Sequence, residues 1–178
     1  MGKKILAISA SPRRHGNSDT LCDAFLRGAA EAGNRGEKIV LREQKIGFCT
    51  GCEFCMEHGR CVLHDDAPAV IEKMMEADVI VMATPVYFYC MCGQLKTLID
   101  RCCPSYRKLG GKDYYLLMTA EETGADTFEE TIACFRAFLR CLPDAHLAGV
   151  LKAGGVFHKG EIDGTGYPEQ ACELGKQV

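Results

Sequence analysis

The sequence predicts an α/β protein with a doubly wound, five-stranded parallel sheet in strand order 2-1-3-4-5, covered by helices on both faces to give three α/β/α layers. Short apolar runs and longer amphipathic stretches alternate five times along the chain. Because parallel strands need crossovers, and crossovers are usually helices, this alternation indicates a parallel sheet. The segment 78–83, DVIVMA, is apolar throughout, as a strand buried on both faces should be. Right-handed crossovers leave few other strand orders.

The individual elements follow from local patterns. The predicted strands are 4–9, 37–41, 78–83, 114–119 and 146–151. The predicted helices are 17 to about 33, a helix starting at 66, 93–103, 127–141 and 168–176. In the first helix, Leu21, Phe25 and Ala29 are spaced four apart and share one face. The second helix has Asp65 or Asp66 as its expected N-cap, since a short carboxylate can accept bonds from the first free amides.

Length and composition limit the possible functions. The 178 residues predict a single domain, 1–178, with a cysteine-rich insertion loop at 47–64. The net charge of −3 gives no reason to expect nucleic acid or an anionic membrane as a partner. No apolar run approaches the roughly 20 residues of a membrane-spanning helix. The N-terminus leads directly into a strand, so we expect a cytoplasmic protein.

Three segments follow strand ends at the point where the predicted strand order reverses, which is where ligands bind in such sheets. The first is 9–18, SASPRRHGNS, where helix amides and short polar side chains can bind an anion. The candidate residues of this loop are Ser9, Ser11, Arg13, Asn17 and Ser18. The loop is neither a Walker P-loop nor GxGxxG, so a monophosphate fits it better than a triphosphate or a dinucleotide. The alternative is an ordinary capped loop.

The second segment follows the third strand and is rich in aromatic residues. Its candidate residues are Pro85, Val86, Tyr87, Phe88 and Tyr89. Aromatic side chains at an exposed strand end can form a flat wall for a ring system, although core packing is the alternative, especially for Phe88. The third segment, 119–124, is small and polar and begins with Thr119 and Ala120, as the rim of a ligand site would.

Four cysteines occur within residues 49–61, as Cys49, Cys52, Cys55 and Cys61. Structural zinc sites usually combine two short hooks separated by a longer stretch, whereas one compact loop suits an iron–sulfur cluster. Zinc binding and an empty set of thiols remain alternatives. Six further cysteines lie in helix-like stretches, where we expect small buried apolar residues: Cys22, Cys102, Cys103, Cys134, Cys141 and Cys172.

Taken together, SASPRRHGNS, the PVYF…GQLKTLIDR stretch and the CxxCxxCx5C loop resemble the NAD(P)H-dependent FMN reductase branch of the flavodoxin-like superfamily, and especially its iron–sulfur flavoproteins. This resemblance implies non-covalent FMN, with its phosphate in the first loop and its ring against the second and third loops. It also implies a 4Fe-4S cluster on the four cysteines of 49–61 and assembly as a homodimer or homotetramer. Tyr89 departs from the family pattern, which usually has glycine there.

The resemblance implies an oxidoreductase that moves electrons from NAD(P)H or a reduced ferredoxin to a small acceptor such as a flavin or quinone. A non-enzymatic FMN and iron–sulfur electron carrier that serves protein partners is the alternative, and a flavin-free interaction protein is a weaker one. Because the flavin itself performs most of the chemistry, no catalytic residue is assigned. Cys90 and Cys92, in the second loop, are either small polar substitutes or redox-active thiols.

Overall fold

The computed structural model describes residues 2–124 and 126–178, and it has the three-layer architecture that the sequence predicts. Its strands are β1 (Lys4–Ser9), β2 (Arg35–Val40), β3 (Val79–Tyr87), β4 (Cys90–Met91), β5 (Asp113–Thr119) and β6 (His146–Ala153). The five long strands are parallel and lie in the order β2-β1-β3-β5-β6. When the five long strands are counted without the short β4, this is the predicted order 2-1-3-4-5. The strand order reverses between β1 and β3.

Helices cover both faces of the sheet. They are α1 (Asn17–Glu31), α2 (Phe54–His58), α3 (Ala67–Glu76), α4 (Gly93–Arg101), α5 (Glu129–Leu139) and α6 (Tyr167–Lys176). Buried side chains of α1 and α6 pack on one face, and those of α3, α4 and α5 pack on the other. Within residues 2–124 and 126–178, no helix combines the length and the apolar character needed to cross a membrane.

The sheet has a sixth strand, β4, in a segment that was predicted to be a loop. Strand β3 continues to Tyr87, which pairs with Cys90 of the short antiparallel β4. The two residues between them, Phe88 and Tyr89, both have positive φ angles, 50° and 62°. Two-residue hairpin loops of this handedness usually carry Asn or Gly. Because positions 88 and 89 are Phe and Tyr instead, the hairpin has no local signal in the sequence.

Helices α1 and α6 approach each other closely through glycine. A Cβ atom added at Gly28 would overlap the carbonyl oxygen of Cys172, and one added at Gly175 would overlap that of Phe25. Backbone carbonyls of packed helices cannot move aside independently, so each glycine permits an interhelical distance that no larger residue would allow.

We therefore expect Gly28→Ala to lower the free energy of unfolding by about 1–3 kcal/mol, the usual cost of overpacking a core. Urea denaturation followed by circular dichroism measures the change. Gly93→Ala is the matched control, because Gly93 is also helical but a Cβ there meets nothing within 4 Å. Equal stabilities of the two variants would contradict the proposed contact.

Candidate functional site

The register of the sheet brings the three predicted segments to one edge. Ser9 lies opposite Ala83, and Thr119 lies between Pro85 and Ala153. A cleft opens above these strand ends. Its walls are formed by Ser11, Arg13, Asn17, Ser18, Pro85, Val86, Tyr87, Phe88, Thr119, Ala120, Glu121, Val156 and Phe157. Ten of the twelve residues predicted to bind a cofactor are in this set; Ser9 and Tyr89 are not.

The first loop ends at the N-terminus of α1. Gly16 occupies the N-cap position with φ −77°, and no side chain caps the helix there. The Asp19 amide donates to the Gly16 carbonyl over 2.9 Å, whereas the amides of Asn17 and Ser18 have no acceptor within the described residues and remain available at the edge of the cleft. Ser11 Oγ accepts a 3.2 Å bond from the Arg13 amide, which gives the loop its tight turn. A loop of this kind suits an anionic group.

Two of the predicted phosphate-loop side chains also fasten a loop from the other end of the chain. Asn17 Nδ2 donates to the carbonyl of His158 over 3.0 Å, and Asn17 Oδ1 accepts from the Gly160 amide at the same distance. Arg13 Nη1 donates to the carbonyl of Phe157. The guanidinium carbon of Arg13 also lies 5.6 Å from the centre of the Phe157 ring. The Asn17 side chain is therefore engaged by protein, and it shapes the cleft wall.

Glu121, in the predicted third segment, also lines the cleft, as do Val156 and Phe157, which were not predicted from the sequence. Glu161 Oε2 accepts bonds from the amides of Phe157 and His158, at 2.7 and 2.8 Å. These bonds hold the half-exposed Phe157 ring at the cleft. A lone aromatic residue in a glycine-rich loop was the one available signal.

Ser18 and Thr119 join two walls of the cleft, since their hydroxyls lie 2.9 Å apart in a buried contact. Ser9 is fully buried at the end of β1 and does not reach the cleft. Its Oγ has no hydrogen-bond partner within the described residues. A role for Ser9 in cofactor binding stays a prediction.

The aromatic side chains of the second loop lie in two different environments. Phe88 is fully exposed and Tyr87 is partly exposed, and both line the cleft. Tyr89 instead donates its hydroxyl to Glu122 Oε2 over 2.9 Å, and this bond raises the pKa of the Tyr89 phenol. Thr131 Oγ1 donates to the carbonyl of Tyr89. The bulk of Tyr89 is therefore directed toward the third loop.

Tyr89 also carries backbone strain, because its φ of 62° is the left-handed conformation that glycine adopts freely. We expect Tyr89→Gly to raise the free energy of unfolding by about 0.5–1 kcal/mol, since the relieved strain exceeds the entropy that glycine loses. Urea denaturation checks this. Tyr89→Phe is the control, because it removes only the exposed hydroxyl contact and should change stability by less than about 0.5 kcal/mol. If Tyr89→Gly is less stable than Tyr89→Phe, the backbone of Tyr89 is not strained.

Of the two second-loop cysteines, Cys92 has the surroundings of a structural thiol. It is buried, and its Sγ donates to the carbonyl of Ala10 over 3.2 Å. Burial raises the pKa of the Cys92 thiol, and a buried protonated thiol reacts slowly. Cys90 is half-buried beside Cys134.

The cysteine loop lies at the side of the molecule near α3 and the end of α4. Cys49 and Cys52 are exposed, whereas Cys55 and Cys61 are partly buried. The loop turns sharply through Gly51, Glu53 and Gly59, all with positive φ. In the part of the chain that the structure describes, no three Cys, His, Asp or Glu side chains form a group that could hold a metal ion. The donor set nevertheless has the chemistry of an iron–sulfur site, with four thiols on one tightly turning loop.

A fifth cysteine lies beside this loop. Burial, and after it the neighbouring Cys103 thiol, raise the pKa of the Cys55 thiol. We expected Cys103 to be a buried helix residue, but it is exposed, as is Cys141. Both follow the last turn of a helix, where the apolar face has ended.

Comparison with known proteins places these features in a family. Residues 3–143 match the family model described as NADPH-dependent FMN reductase. An iron-sulfur flavoprotein of Methanocaldococcus jannaschii is 42% identical over 101 residues, which are 57% of this chain and 52% of that protein. One from Archaeoglobus fulgidus is 38% identical over 57% of this chain and 46% of its own length. The chain thus spans about half the length of these curated relatives.

Among solved structures, an NAD(P)H:quinone oxidoreductase from Methanothermobacter marburgensis superposes with a TM-score of 0.79. The match covers 99% of this chain and 96% of that chain at 17% sequence identity. An azoreductase from Bacillus anthracis superposes with a TM-score of 0.69, over 99% and 100% of the two chains, also at 17% identity. At these identities the likeness shows the shared flavodoxin-like fold.

Proposed function

Since the chain belongs to the NADPH-dependent FMN reductase family, we propose that it is an FMN-dependent NAD(P)H oxidoreductase that binds FMN in the cleft. The convergence of three separate loops on one edge of the sheet carries this proposal. Ten residues chosen from the sequence alone line the same cleft. The cleft also has the two features that FMN needs, an anion-binding helix N-terminus and an aromatic wall.

Each part of the cleft has a defined role in this proposal. The first amides of α1, with Ser11 and Ser18 beside them, would hold the phosphate. Tyr87 and Phe88 would form the wall beside the flavin ring, and the small residues Thr119 and Ala120 would leave room for its polar edge. Arg13 and Asn17 hold Phe157 at the opening, where it reduces the access of water. Bound FMN supplies hydride acceptance and transfer of single electrons, so these residues bind and orient it.

We further propose that Cys49, Cys52, Cys55 and Cys61 hold a 4Fe-4S cluster, which would supply one-electron transfer. The names of the relatives and the thiol-rich loop support this assignment. Because Cys49 and Cys52 are exposed, the loop must change conformation to bring its four thiols together around a cluster. With a cluster, a reduced ferredoxin becomes a second donor, and a flavin or quinone is the proposed acceptor.

We propose that 1–178 acts as one domain, with 47–64 as an insertion, in a homodimer or homotetramer.

An ultraviolet–visible spectrum of anaerobically purified protein tests these proposals, with iron and acid-labile sulfide assayed on the same sample. We expect flavin bands, about four irons per cluster-bearing chain and steady-state oxidation of NAD(P)H with a quinone. Flavin bands without iron would remove the cluster and leave the FMN assignment. Flavin without NAD(P)H oxidation would favour the electron-carrier alternative, and a colourless protein that does not bind added FMN would refute the proposed function.

A further inference from the structure

Arg101, the last residue of α4, is a buried cation outside the cleft. Its side chain is 1% exposed. Its guanidinium forms a two-pronged pair with Asp65, with 2.6 Å from Nη1 to Oδ2 and 3.0 Å from Nη2 to Oδ1. Burying a guanidinium is costly unless its partners are well placed, so these contacts must serve the local structure or the function.

Two of the Arg101 contacts fasten the base of the cysteine loop. Gly47 precedes the first cysteine and Asp65 follows the last one. Arg101 Nη1 donates to the Gly47 carbonyl over 2.7 Å, and the Gly47 amide donates to Asp65 Oδ2 over 2.9 Å. Arg101 and Asp65 therefore hold the two ends of the loop together, in a planar geometry that lysine cannot reproduce.

A third contact reaches a thiol of the loop itself. Arg101 Nη2 lies 3.3 Å from Cys61 Sγ and donates to it. Hydrogen bonds to the cysteine sulfurs are among the main determinants of the reduction potential of an iron–sulfur cluster. A cation next to such a sulfur favours the more negative, reduced state of the cluster.

We propose that Arg101 is the positioning residue of the cysteine loop: it closes the loop through Gly47 and Asp65, and it raises the reduction potential of a cluster bound through Cys61. The second half of this assignment rests on the proposed cluster. The first half concerns the chain alone.

The test uses the full chain carrying Arg101→Met or Arg101→Lys. Arg107→Met is the matched control. Arg107 is an exposed arginine in the turn after α4, and its side chain donates a hydrogen bond to the Tyr106 hydroxyl. Hydrogen exchange of the cluster-free proteins reports on the closure of loop 47–65. Anaerobic redox titration of the iron-loaded proteins reports on the potential. If Arg101→Met fails to fold, the double variant Arg101→Met/Asp65→Asn removes both charges and is measured in the same way.

For Arg101→Met we expect faster exchange confined to 47–65 and a shift of the cluster to lower potential, with an intermediate result for Arg101→Lys and none for Arg107→Met. Wild-type exchange in 47–65 would overturn the closure of the loop by Arg101. Faster exchange with an unchanged potential would overturn the role toward the cluster. If the wild type takes up no iron, the cluster assignment fails, and the exchange experiment still decides whether Arg101 closes the loop.

Discussion

Asp65→Ala should lower the free energy of unfolding by about 3–5 kcal/mol, because it leaves the Arg101 guanidinium buried without its carboxylate. Asp65 also accepts bonds from the amides of Gly47 and Ala67, so the substitution removes the acceptor of two backbone donors as well. Urea denaturation at neutral pH measures the loss. Asp65 does not line the cleft, but it anchors the base of the cysteine loop.

A neighbouring ion pair on the same helix provides the control. Lys96 and Asp100 are paired four residues apart on α4, with side chains 49% and 45% exposed. Because exposed pairs of this kind contribute only about 0.3–0.5 kcal/mol, Asp100→Ala should have little effect. If Asp65→Ala lowers the free energy of unfolding no more than Asp100→Ala does, burial does not increase the contribution of the Asp65–Arg101 pair to stability.

The same ion pair predicts a pH dependence of stability. Burial alone would raise the pKa of Asp65, but hydrogen bonds from Arg101 and the amides of Gly47 and Ala67 outweigh it and lower the pKa. A carboxyl with a lowered pKa in the folded state stabilises the protein above its unfolded pKa of about 3.9. That contribution is lost as the pH falls through the lower, folded value. Asp65→Asn should therefore make stability less dependent on pH below about 4.

The sheet could be predicted almost completely from the sequence because its central strands, β1, β3 and β5, are largely buried on both faces. A run such as 78–83 has to be apolar throughout, and the helices between strands must present one apolar face. Both patterns are local and repeat five times, and right-handed crossovers determine the order. The structure differs mainly in extending β3 to Tyr87.

The cleft residues at the strand ends could be predicted for a related reason. Once the strand order is known, the segments after the first, third and fourth predicted strands must share one edge of the sheet. The part of the cleft wall formed by Val156 and Phe157 could not be found in this way. Phe157 reaches the cleft because Asn17 and Arg13 bond to carbonyls about 140 residues later in the chain, and no local pattern encodes such contacts.

The hairpin and the thiol contacts show the same limit. Phe88 and Tyr89 adopt positive φ without the residues that usually signal it, because Tyr89 donates a tertiary bond to Glu122 and accepts one from Thr131, and these bonds hold the turn. The Arg101 contact with Cys61 joins residues 40 positions apart through a loop of irregular structure. Such contacts depend on where the loop packs, which spacing alone does not determine.

Gly16→Val should weaken FMN binding at least about tenfold, or about 1.4 kcal/mol, because it deforms the loop proposed to hold the phosphate. A Cβ at Gly16 would lie 2.5 Å from Ser11 Oγ and 3.2 Å from the Arg13 carbonyl. The loop must then open just before the free amides of α1, and the anion site loses its geometry. Quenching of FMN fluorescence on titration with cofactor-free protein measures the dissociation constant.

Gly166→Val separates this effect from the general cost of valine at a helix N-cap. Gly166 is likewise the N-cap glycine of a helix, α6, with a φ of −81° against −77° for Gly16, while its ψ is 4° against 168°. A Cβ at Gly166 meets only Gln170 Nε2, at 4.0 Å. Both variants exchange glycine for a poor N-cap residue, so both should lose some stability. Only Gly16→Val should lose affinity for FMN, because only Gly16 directly precedes residues that line the cleft, Asn17 and Ser18. Wild-type affinity in Gly16→Val would show that the phosphate does not bind at the N-terminus of α1.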